Sequence, residues 1–375
     1  MVPQKSIDAA IKWLTGAARV ADDQPVGERG RAMELFCWRG AIRGEYLSTR
    51  KSWESFCPVW HTGQAVKSLV MQKKYDDAVI CADFVVANQI TSGDDAGLLL
   101  ALEDHPELVN TSAVMEALDG LFMLAEVTGN DKYSKCAVEA LDWTARKMWN
   151  PETGKFRGTY HVKEKCCITN HPASVERPLL DDAVFITGWK ISGNEDFKRI
   201  AVAAADTLLR EEGPAGNWVC YIPCVTSEGL IHPRQAYWWG KPMLDVYRAT
   251  GDEKYLECFK RGAMWYKSAL RLDGGLFRHT GVDFNSWSSG HSASGSACAA
   301  IYLAEYRQFT GDDSVTEYID RALQFCVSMQ FNCPENPDVD GAILEKILPP
   351  DGSAQIPWQL RDLGTIFFLQ AAAMV

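Results

Sequence analysis

Residues 250–255 read TGDEKY, and closely similar hexamers occur three more times in the chain. They are TGNDKY at 128–133, SGNEDF at 192–197 and TGDDSV at 310–315. Their glycines recur every 58 to 64 residues, and a long repeat of this kind is typical of an architecture built from copies of one unit. In each copy the glycine can close one helix in a left-handed conformation, and the Asp or Asn after it can cap the next helix. Each hexamer therefore predicts a tight turn between two helices.

The two helices of each predicted pair differ in where their apolar residues fall. The second helix carries a single apolar stripe with charged residues elsewhere, so we expect these helices on the outside. The first helices, such as 116–128 and 294–309, are apolar almost all round and should be buried on both sides.

Less regular copies complete the repeat. One covers 59–90, and the C-terminal RDLGTIFFLQAAAMV supplies an inner helix whose outer partner is SIDAAIKWLTGAAR near the N-terminus. The sequence thus predicts an all-α fold, an (α/α)6 barrel in which six helical hairpins form a ring. We expect one catalytic domain over residues 1–375, closed by pairing of helix 5–19 with helix 361–375. Four long connections, expected to form the rim of a cleft, are 150–178, 213–235, 271–293 and 331–360.

Composition narrows the classes of partner. The chain has 38 Lys and Arg against 49 Asp and Glu, a formal charge of −11, and no basic cluster. This balance argues against nucleic acid and against an anionic membrane surface, and no segment reaches the roughly 18 continuous apolar residues of a membrane span. The 13 Trp are an unusually large number and indicate a concave surface on which flat, amphipathic ligands stack.

The N-terminal stretch and the cysteines bear on location and metals. MVPQKSIDAAIKW lacks the unbroken apolar core of a secretory signal, and the 12 Cys form no compact disulfide framework. We therefore expect reduced thiols and a cytoplasmic protein. Cys166, Cys167, Cys220 and Cys224 do not have the spacing of a standard zinc site, so no metal and no cofactor is expected. The sequence leaves a homo-oligomer open.

Polar and aromatic side chains cluster in the segments that lead into the inner helices. Such a mixture of acids, His, Arg and Trp, with no nucleophile elbow or phosphate loop, is typical of a sugar site. The candidate catalytic acids are Asp95, Glu176, Asp181 and Asp182. The expected substrate-binding residues are Trp60, His61, His171, His232, Arg234, Gln235, Tyr237, Trp238, Trp239, His279, Trp287 and His291.

Several of these residues have a purely structural alternative. Asp181 or Asp182 can cap the helix that starts there, and Asp95 can belong to a polar turn. His61 and His291 can be buried histidines bonded to the backbone. Because adjacent helical residues point about 100° apart, only one of Trp238 and Trp239 needs to face the cavity.

Five motifs in order resemble the unsaturated uronyl hydrolases, glycoside hydrolase families 88 and 105. HPRQAYWWG at 232–240 looks like their Arg-Gly-Gln-Ala-Trp-Gly helix start, and VWHTGQAVKSLV at 59–70 is similar to their first inner helix. SGDDAG at 92–97, PLLDDAVF at 178–185 and HSASGSACAAIYLAEY at 291–306 resemble three further family segments in the same order. The resemblance implies an (α/α)6 barrel that removes a terminal 4,5-unsaturated uronic acid left by a polysaccharide lyase.

The resemblance also implies roles for residues. It makes Asp181 the leading acid/base, Asp95 the second carboxylate, and Arg234, Gln235 and Trp238 or Trp239 substrate contacts. SGDDAG lacks the family's His and Phe, and Asp182 rivals Asp181.

Three other functions therefore stay open on the same barrel. One is a β-glucuronidase acting on a saturated terminal glucuronic acid, with Glu176 also competing for a catalytic role. Another is a polysaccharide lyase using Tyr160 with His161 or Tyr237 with His232. The third is a non-catalytic sugar-binding barrel.

Overall fold

The computed structural model describes residues 2–103, 105–169, 174–286, 290–347 and 358–375. Fifteen α-helices lie in these ranges. In chain order they are α1 (Gln4–Thr15), α2 (Gly27–Ala32), α3 (Pro58–Met71), α4 (Tyr75–Ala87), α5 (Thr111–Glu116), α6 (Asp119–Thr128), α7 (Asp131–Lys147), α8 (Val184–Ser192), α9 (Glu195–Arg210), α10 (Gln235–Trp239), α11 (Met243–Thr250), α12 (Glu253–Ala269), α13 (Ala293–Thr310), α14 (Thr316–Ser328) and α15 (Asp362–Ala372).

Twelve helical positions form two concentric rings, which confirms the all-α (α/α)6 barrel. The inner ring runs α3, α5 with α6, α8, α10 with α11, α13 and α15, and it closes because α15 contacts both α13 and α3. The outer ring is α1, α4, α7, α9, α12 and α14, and α1 packs on α15, so the two ends of the chain meet. None of the helices in the described ranges is long and apolar enough to cross a bilayer.

All four repeated hexamers form the turns predicted for them. Their glycines, Gly129, Gly193, Gly251 and Gly311, have φ between 69° and 75° at helix C-termini. The residue that follows caps the next helix, as when the Asp252 side chain accepts a hydrogen bond from the Lys254 N–H. These turns join each inner helix to its outer partner, so they lie at one mouth of the barrel.

The inner helices approach one another closely at one crossing. A Cβ on Gly63 would lie 2.4 Å from the Ala117 carbonyl oxygen, and a Cβ on Gly120 would lie 2.4 Å from the Gly63 carbonyl oxygen. Glycine at both positions therefore lets the α3 and α6 backbones touch. Two inner elements are also interrupted, α5–α6 at residues 117–118 and α10–α11 before Pro242, which has no N–H to continue a helix.

The connections between the helices carry short strands that the sequence did not predict. The strands are β1 (Gly44–Leu47), β2 (Ser52–Ser55), β3 (Leu108–Asn110), β4 (Trp149–Asn150), β5 (Lys155–Phe156), β6 (Thr159–His161), β7 (Cys166–Cys167), β8 (Leu230–Ile231), β9 (Thr280–Gly281), β10 (His291–Ser292), β11 (Lys346–Ile347) and β12 (Trp358–Arg361). At two to four residues they are too short to show an alternating pattern. The largest sheet, in the order β10-β11-β12-β1-β2, ties the loops before α3, α13 and α15 together at the second mouth.

Candidate active site

A cavity of about 230 Å³ opens at the mouth where the inner helices begin. Its lining comes from the starts of α3, α5, α10 and α15, from the turn before α8, and from the connections. Residues far apart in the chain, such as Trp60, Asp181 and Arg361, therefore share one wall. The opposite mouth, where the hexamer turns lie, has a separate pocket of about 390 Å³ bordered by Lys67, Asp119 and other residues.

Asp181 is the buried acid of the cavity. Its side chain is 1% exposed, and its Oδ2 has no hydrogen-bond partner among the described residues. Burial and, to a smaller extent, the charge of nearby Asp182 raise the pKa of Asp181 to about 7, against the opposing charge of Arg177. A carboxyl group with this pKa can both donate and accept a proton near neutral pH.

Glu116 is a second acid in the cavity, and the sequence did not single it out. The Ser112 hydroxyl lies 3.1 Å from Glu116 Oε1 and 3.5 Å from Asp181 Oδ1, so one hydroxyl spans the two carboxyl groups. The Trp238 indole N–H donates to Glu116 Oε2 at 2.9 Å. Burial, together with the charge of Asp181, raises the pKa of Glu116 well above its usual range. The sequence signal that could have identified it is its place as an acid at the head of the predicted inner helix 116–128.

A left-handed turn separates Asp181 from its neighbour. Residues 181–183 form a single 3₁₀ turn, in which Asp182 has φ 48° and Ala183 has φ 52°. Such a conformation costs roughly 1–2 kcal/mol for a residue with a Cβ. The turn sends Asp182 away from the cavity and into the barrel axis, where the Lys67 ammonium lies 2.7 Å from its Oδ1. Although burial opposes ionisation, Lys67 and Lys241 lower the pKa of Asp182.

Four arginines surround the two acids: Arg177, Arg234, Arg278 and Arg361. Arg361 is paired with Glu45, its Nε lying 2.5 Å from Oε1. Arg234 and Arg278 form no ion pair with a carboxylate among the described residues, and Arg234 Nε and Nη1 have no hydrogen-bond partner there. Burial, with the neighbouring charges of Arg234 and Arg361, lowers the pKa of Arg278 to about 10. Like charges held this close favour an anionic ligand between them.

Aromatic rings form the remaining walls. The Arg234 guanidinium carbon lies 5.0 Å from the centre of the Trp238 ring and 5.8 Å from that of Trp60. The His232 ring stacks on Trp238 with centroids 5.0 Å apart and 9° between the planes. The indole nitrogens of Trp60 and Trp239 have no partner among the described residues, so their N–H groups can bind sugar hydroxyls. Both Trp238 and Trp239 line the cavity, although helix geometry required only one of them to face it.

The other two predicted acids lie outside the cavity. Asp95 is buried behind it, where Tyr160 and Trp143 donate hydrogen bonds to its Oδ1 at 2.8 and 3.2 Å. Glu176 accepts hydrogen bonds from the side chains of Asn150 and Thr153 on the far side of its loop. The motif resemblance could not reveal that Asp95 lies outside the cavity. The chain reaches the cavity only after residues 98–115, at Ser112 and Glu116.

The remaining predicted binding residues are spread around the site. His61 is fully buried, as its structural alternative suggested, but its Nδ1 lies 2.6 Å from the Asp362 Oδ1 carboxylate oxygen and not against the backbone. Gln235 donates to the Trp218 carbonyl, and the Tyr237 hydroxyl lies 3.4 Å from Asp182 Oδ1 below the cavity.

The last four residues predicted to bind substrate are three histidines and one tryptophan. The His279 ring lies edge-on to His232, at 6.4 Å between centroids. His291 packs edge-on against Phe325, and burial lowers its pKa. His171 and Trp287 lie outside the described residues.

Neither Tyr/His pair considered for a lyase meets in the cavity. Tyr160 donates to Asp95, and His161 Nε2 lies 3.3 Å from Glu107. His232 lines the cavity, whereas Tyr237 lies beneath it and burial raises its pKa well above the usual range.

The cysteines form no bridges. All 12 are free thiols, and Cys224 Sγ accepts a hydrogen bond from the His232 N–H. Within the described ranges, no three His, Cys, Asp or Glu side chains are grouped as metal ligands.

Comparison with known proteins supports the fold. No family model matches the sequence, and no curated protein matches it. Among solved structures, the unsaturated glucuronyl hydrolase of Bacillus sp. GL1 superposes with a TM-score of 0.66 at 16% identity, over 98% of this chain and 95% of that one. The cellobiose 2-epimerase of Bacillus thermoamylovorans B4167 gives 0.67 at 10% identity, over 98% and 97%. A D-mannose isomerase gives 0.62 at 11%, over 99% and 95%. These neighbours are sugar-processing enzymes, and at such low identities the likeness shows the (α/α)6 barrel alone.

Proposed function

We propose that the protein is an exo-acting glycoside hydrolase that removes a terminal uronic acid, foremost the 4,5-unsaturated form, from oligosaccharides. The observation that carries the proposal is the combination in one small cavity of a protonatable Asp181 with Arg234 and Arg278, which lack carboxylate partners in the described structure. A chain with a net charge of −11 concentrates positive charge here, which suits a uronate carboxylate.

The geometry suits hydration of the unsaturated ring. Asp181, protonated near neutral pH, donates its proton to C4 and then accepts a proton from the water that attacks C5. The resulting hemiketal opens and expels the aglycone. Glu116, fixed by Ser112 and Trp238, is the second carboxyl group that orients the ring or the water. This assigns to Glu116 the role that the sequence resemblance gave to Asp95.

The cavity size and walls suit a terminal residue. A volume of about 230 Å³ leaves room for little more than one sugar ring. The stacked His232 and Trp238 rings form an aromatic wall, and the Trp60 and Trp239 indoles supply N–H donors. An exo-acting enzyme needs a site closed around the end of its substrate.

A β-glucuronidase is the nearest alternative in the same class. It would use Asp181 and Glu116 as the two acids on either side of an ordinary glycosidic bond. The same arginines would bind the saturated uronate.

A sugar epimerase or isomerase is the second candidate. It is favoured by the imidazole of His232 in the cavity wall and by the barrel shared with a cellobiose 2-epimerase and a mannose isomerase. Such an enzyme would act on neutral sugars, for which the paired arginine charges would be a hindrance.

One set of incubations separates these functions. The enzyme is given a lyase-generated unsaturated disaccharide, a nitrophenyl β-glucuronide, an intact uronate polysaccharide, cellobiose and mannose. Loss of the ultraviolet absorbance of the conjugated double bond supports the proposal, and nitrophenol release supports the glucuronidase. New ultraviolet absorbance from the polysaccharide indicates a lyase, and a changed neutral sugar on chromatography indicates an epimerase.

The variant Asp181→Asn is the matched control in every incubation. It should bind the disaccharide without turning it over. If wild type and variant bind the disaccharide equally and neither changes any substrate, the protein is a sugar-binding barrel and the proposal is wrong.

A further inference from the structure

Beneath the cavity floor, one carboxylate is held by three donors from two inner elements. Asp182 Oδ1 accepts from the Lys67 ammonium at 2.7 Å, and its Oδ2 accepts from the Gln64 amide at 2.9 Å. The Tyr237 hydroxyl donates to Oδ1 at 3.4 Å. Lys67 is itself tied to Asp119, with 2.8 Å between Nζ and Oδ2. Asp182 is thus fixed to α3 and α10 at the centre of the barrel.

The backbone explains why such an anchor is needed. Asp182 and Ala183 both have positive φ, although neither is glycine. Two successive left-handed residues are strained and persist only when their surroundings hold them. The turn is closed by the Ala183 N–H, which donates to the Leu180 carbonyl at 2.8 Å, and the side-chain hydrogen bonds of Asp182 tie it to α3 and α10.

We propose that Asp182 is a positioning residue, whose anchorage on Lys67, Gln64 and Tyr237 holds the left-handed turn that aims Asp181 at the substrate. This rests on the proposed function, because it takes Asp181 as the acid of the reaction. Asp182 touches no substrate and acts through its neighbour. The sequence could not distinguish the roles of the adjacent acids. In this proposal Asp181 is the acid of the reaction and Asp182 holds it in position.

The charges around the pair indicate a second consequence. Asp181 faces Glu116 from α5, Arg177 from the preceding loop, Arg234 from the start of α10, and Asp182 behind it. Asp182 faces Lys67, Lys241, Asp119 and Tyr237. Burial is the main cause of the raised pKa of Asp181, and the Asp182 charge adds to it while Arg177 opposes it. Neutralising Asp182 should therefore lower the pKa of Asp181.

Three variants of the turn test the proposal. Asp182→Gly tolerates the left-handed conformation but removes the anchor, and we expect roughly a 100-fold loss of kcat with little change in KM. Asp182→Asn also tolerates positive φ and its amide oxygen still accepts from Lys67, so it should retain most of kcat while the alkaline limb of the pH profile moves to lower pH. Ala183→Gly, which relieves strain one residue along without touching the anchor, should keep the wild-type kcat. Thermal melting and near-ultraviolet circular dichroism verify that each variant is folded.

A second measurement, which does not depend on turnover, also tests the proposal. In protein labelled with carbon-13 at the Asp carboxyl groups, the Asp181 resonance, assigned through Asp181→Asn, is titrated in wild type and in Asp182→Asn. A lower midpoint in the variant supports the proposal. An unmoved midpoint together with wild-type kcat in Asp182→Gly overturns it. Should the wild type hydrolyse no uronide, the proposed function fails, and the titration still decides whether Asp182 controls Asp181.

Discussion

The two mouths of the barrel use charged side chains in opposite ways. At the mouth where the inner helices begin, Arg234 and Arg278 both line the cavity without carboxylate partners in the described structure, and Asp181 Oδ2 has no hydrogen-bond partner there. At the mouth with the hexamer turns, Lys67 binds Asp119 and Asp182, and Lys241 and Arg248 both lie near Glu305. The charges of the first mouth lack partners and those of the second are paired, so we call the first the open mouth and the second the closed mouth.

Asp181 and Asp182 show the same contrast between adjacent residues. The side chains of both are buried, yet the pKa of Asp181 is raised to about 7, and that of Asp182 lies below its usual range because two lysines face it. Two acids whose surroundings move their pKa values apart are suited to different roles. The environment created by the fold, and not the residue type, decides which of them can exchange protons at neutral pH.

The largest effect should come from removing the acid at the open mouth. Asp181→Asn should lower kcat on the unsaturated disaccharide by about 10²–10⁴-fold, the usual contribution of a general acid/base. Stopped assays at high enzyme concentration measure the residual rate. Asp245→Asn, which changes a partly exposed acid beside Arg248 at the closed mouth, is the control and should leave kcat unchanged. A variant at position 181 with wild-type kcat would contradict the assignment.

Asp181→Asn, which should lower kcat, should at the same time raise the stability of the folded protein. A carboxyl group with a raised pKa in the folded protein contributes stability at low pH that is lost as the pH rises. For Asp181 this window runs from its ordinary value of 3.8 to about 7. Denaturant unfolding should show Asp181→Asn gaining stability relative to wild type across that range. A constant difference at every pH would mean that folding does not raise the pKa of Asp181.

The second prediction breaks the charge balance of the closed mouth. Lys67→Met leaves the half-buried Asp119 and the buried side chain of Asp182 without their shared cation, and removal of one partner from a buried ion pair costs about 3–5 kcal/mol. Urea unfolding at neutral pH measures the loss, which should shrink as the pH is lowered and the carboxylates take up protons. The double variant Lys67→Met with Asp182→Asn should recover part of the stability. A loss that does not depend on pH would point to packing instead of charge.

The third prediction compares arginines at the two mouths. Arg234→Met should weaken a substrate with a uronate carboxylate by roughly 1.5–3 kcal/mol, the usual contribution of a charged hydrogen bond, and should raise KM. Arg248→Met at the closed mouth removes a partly exposed guanidinium that already has Asp245 and Glu305 as partners, and its KM should match the wild type. Steady-state kinetics on the unsaturated disaccharide separates the two. Equal KM values for both variants would mean that Arg234 does not bind the carboxylate.

The fold could be read from the sequence because its signals are local. A glycine with positive φ followed by a capping Asp or Asn works within six residues, as at Gly251 and Asp252, and four copies set the period of the whole barrel. The short strands escaped notice because their pairing is long-range, as between Glu45 and Arg361.

The candidate site was harder because side-chain direction depends on the tertiary structure. The sequence placed Asp181, Arg234 and Trp238 at a cavity mouth, and the structure brings them together. It could not show that a left-handed turn sends Asp182 to Lys67, or that Tyr160 and Trp143 retain Asp95 behind the wall. Glu116 was not identified from the sequence, because helix 116–128 was predicted only as a buried packing element.

The smallest predicted effect concerns the hexamer turns of the closed mouth. If the two mouths have separate roles, a substitution in these turns should lower stability and leave activity unchanged. Asp252→Ala removes the acceptor for the Lys254 N–H and should cost about 1 kcal/mol of unfolding free energy. Because this turn lies at the opposite end of the barrel from Asp181, kcat and KM on the disaccharide should be unchanged. Asp252→Asn, which keeps the capping oxygen, is the matched control and should retain most of the stability. If Asp252→Ala altered kcat while the variant remained folded, the two mouths would be coupled, and the division of labour argued from their charges would fail.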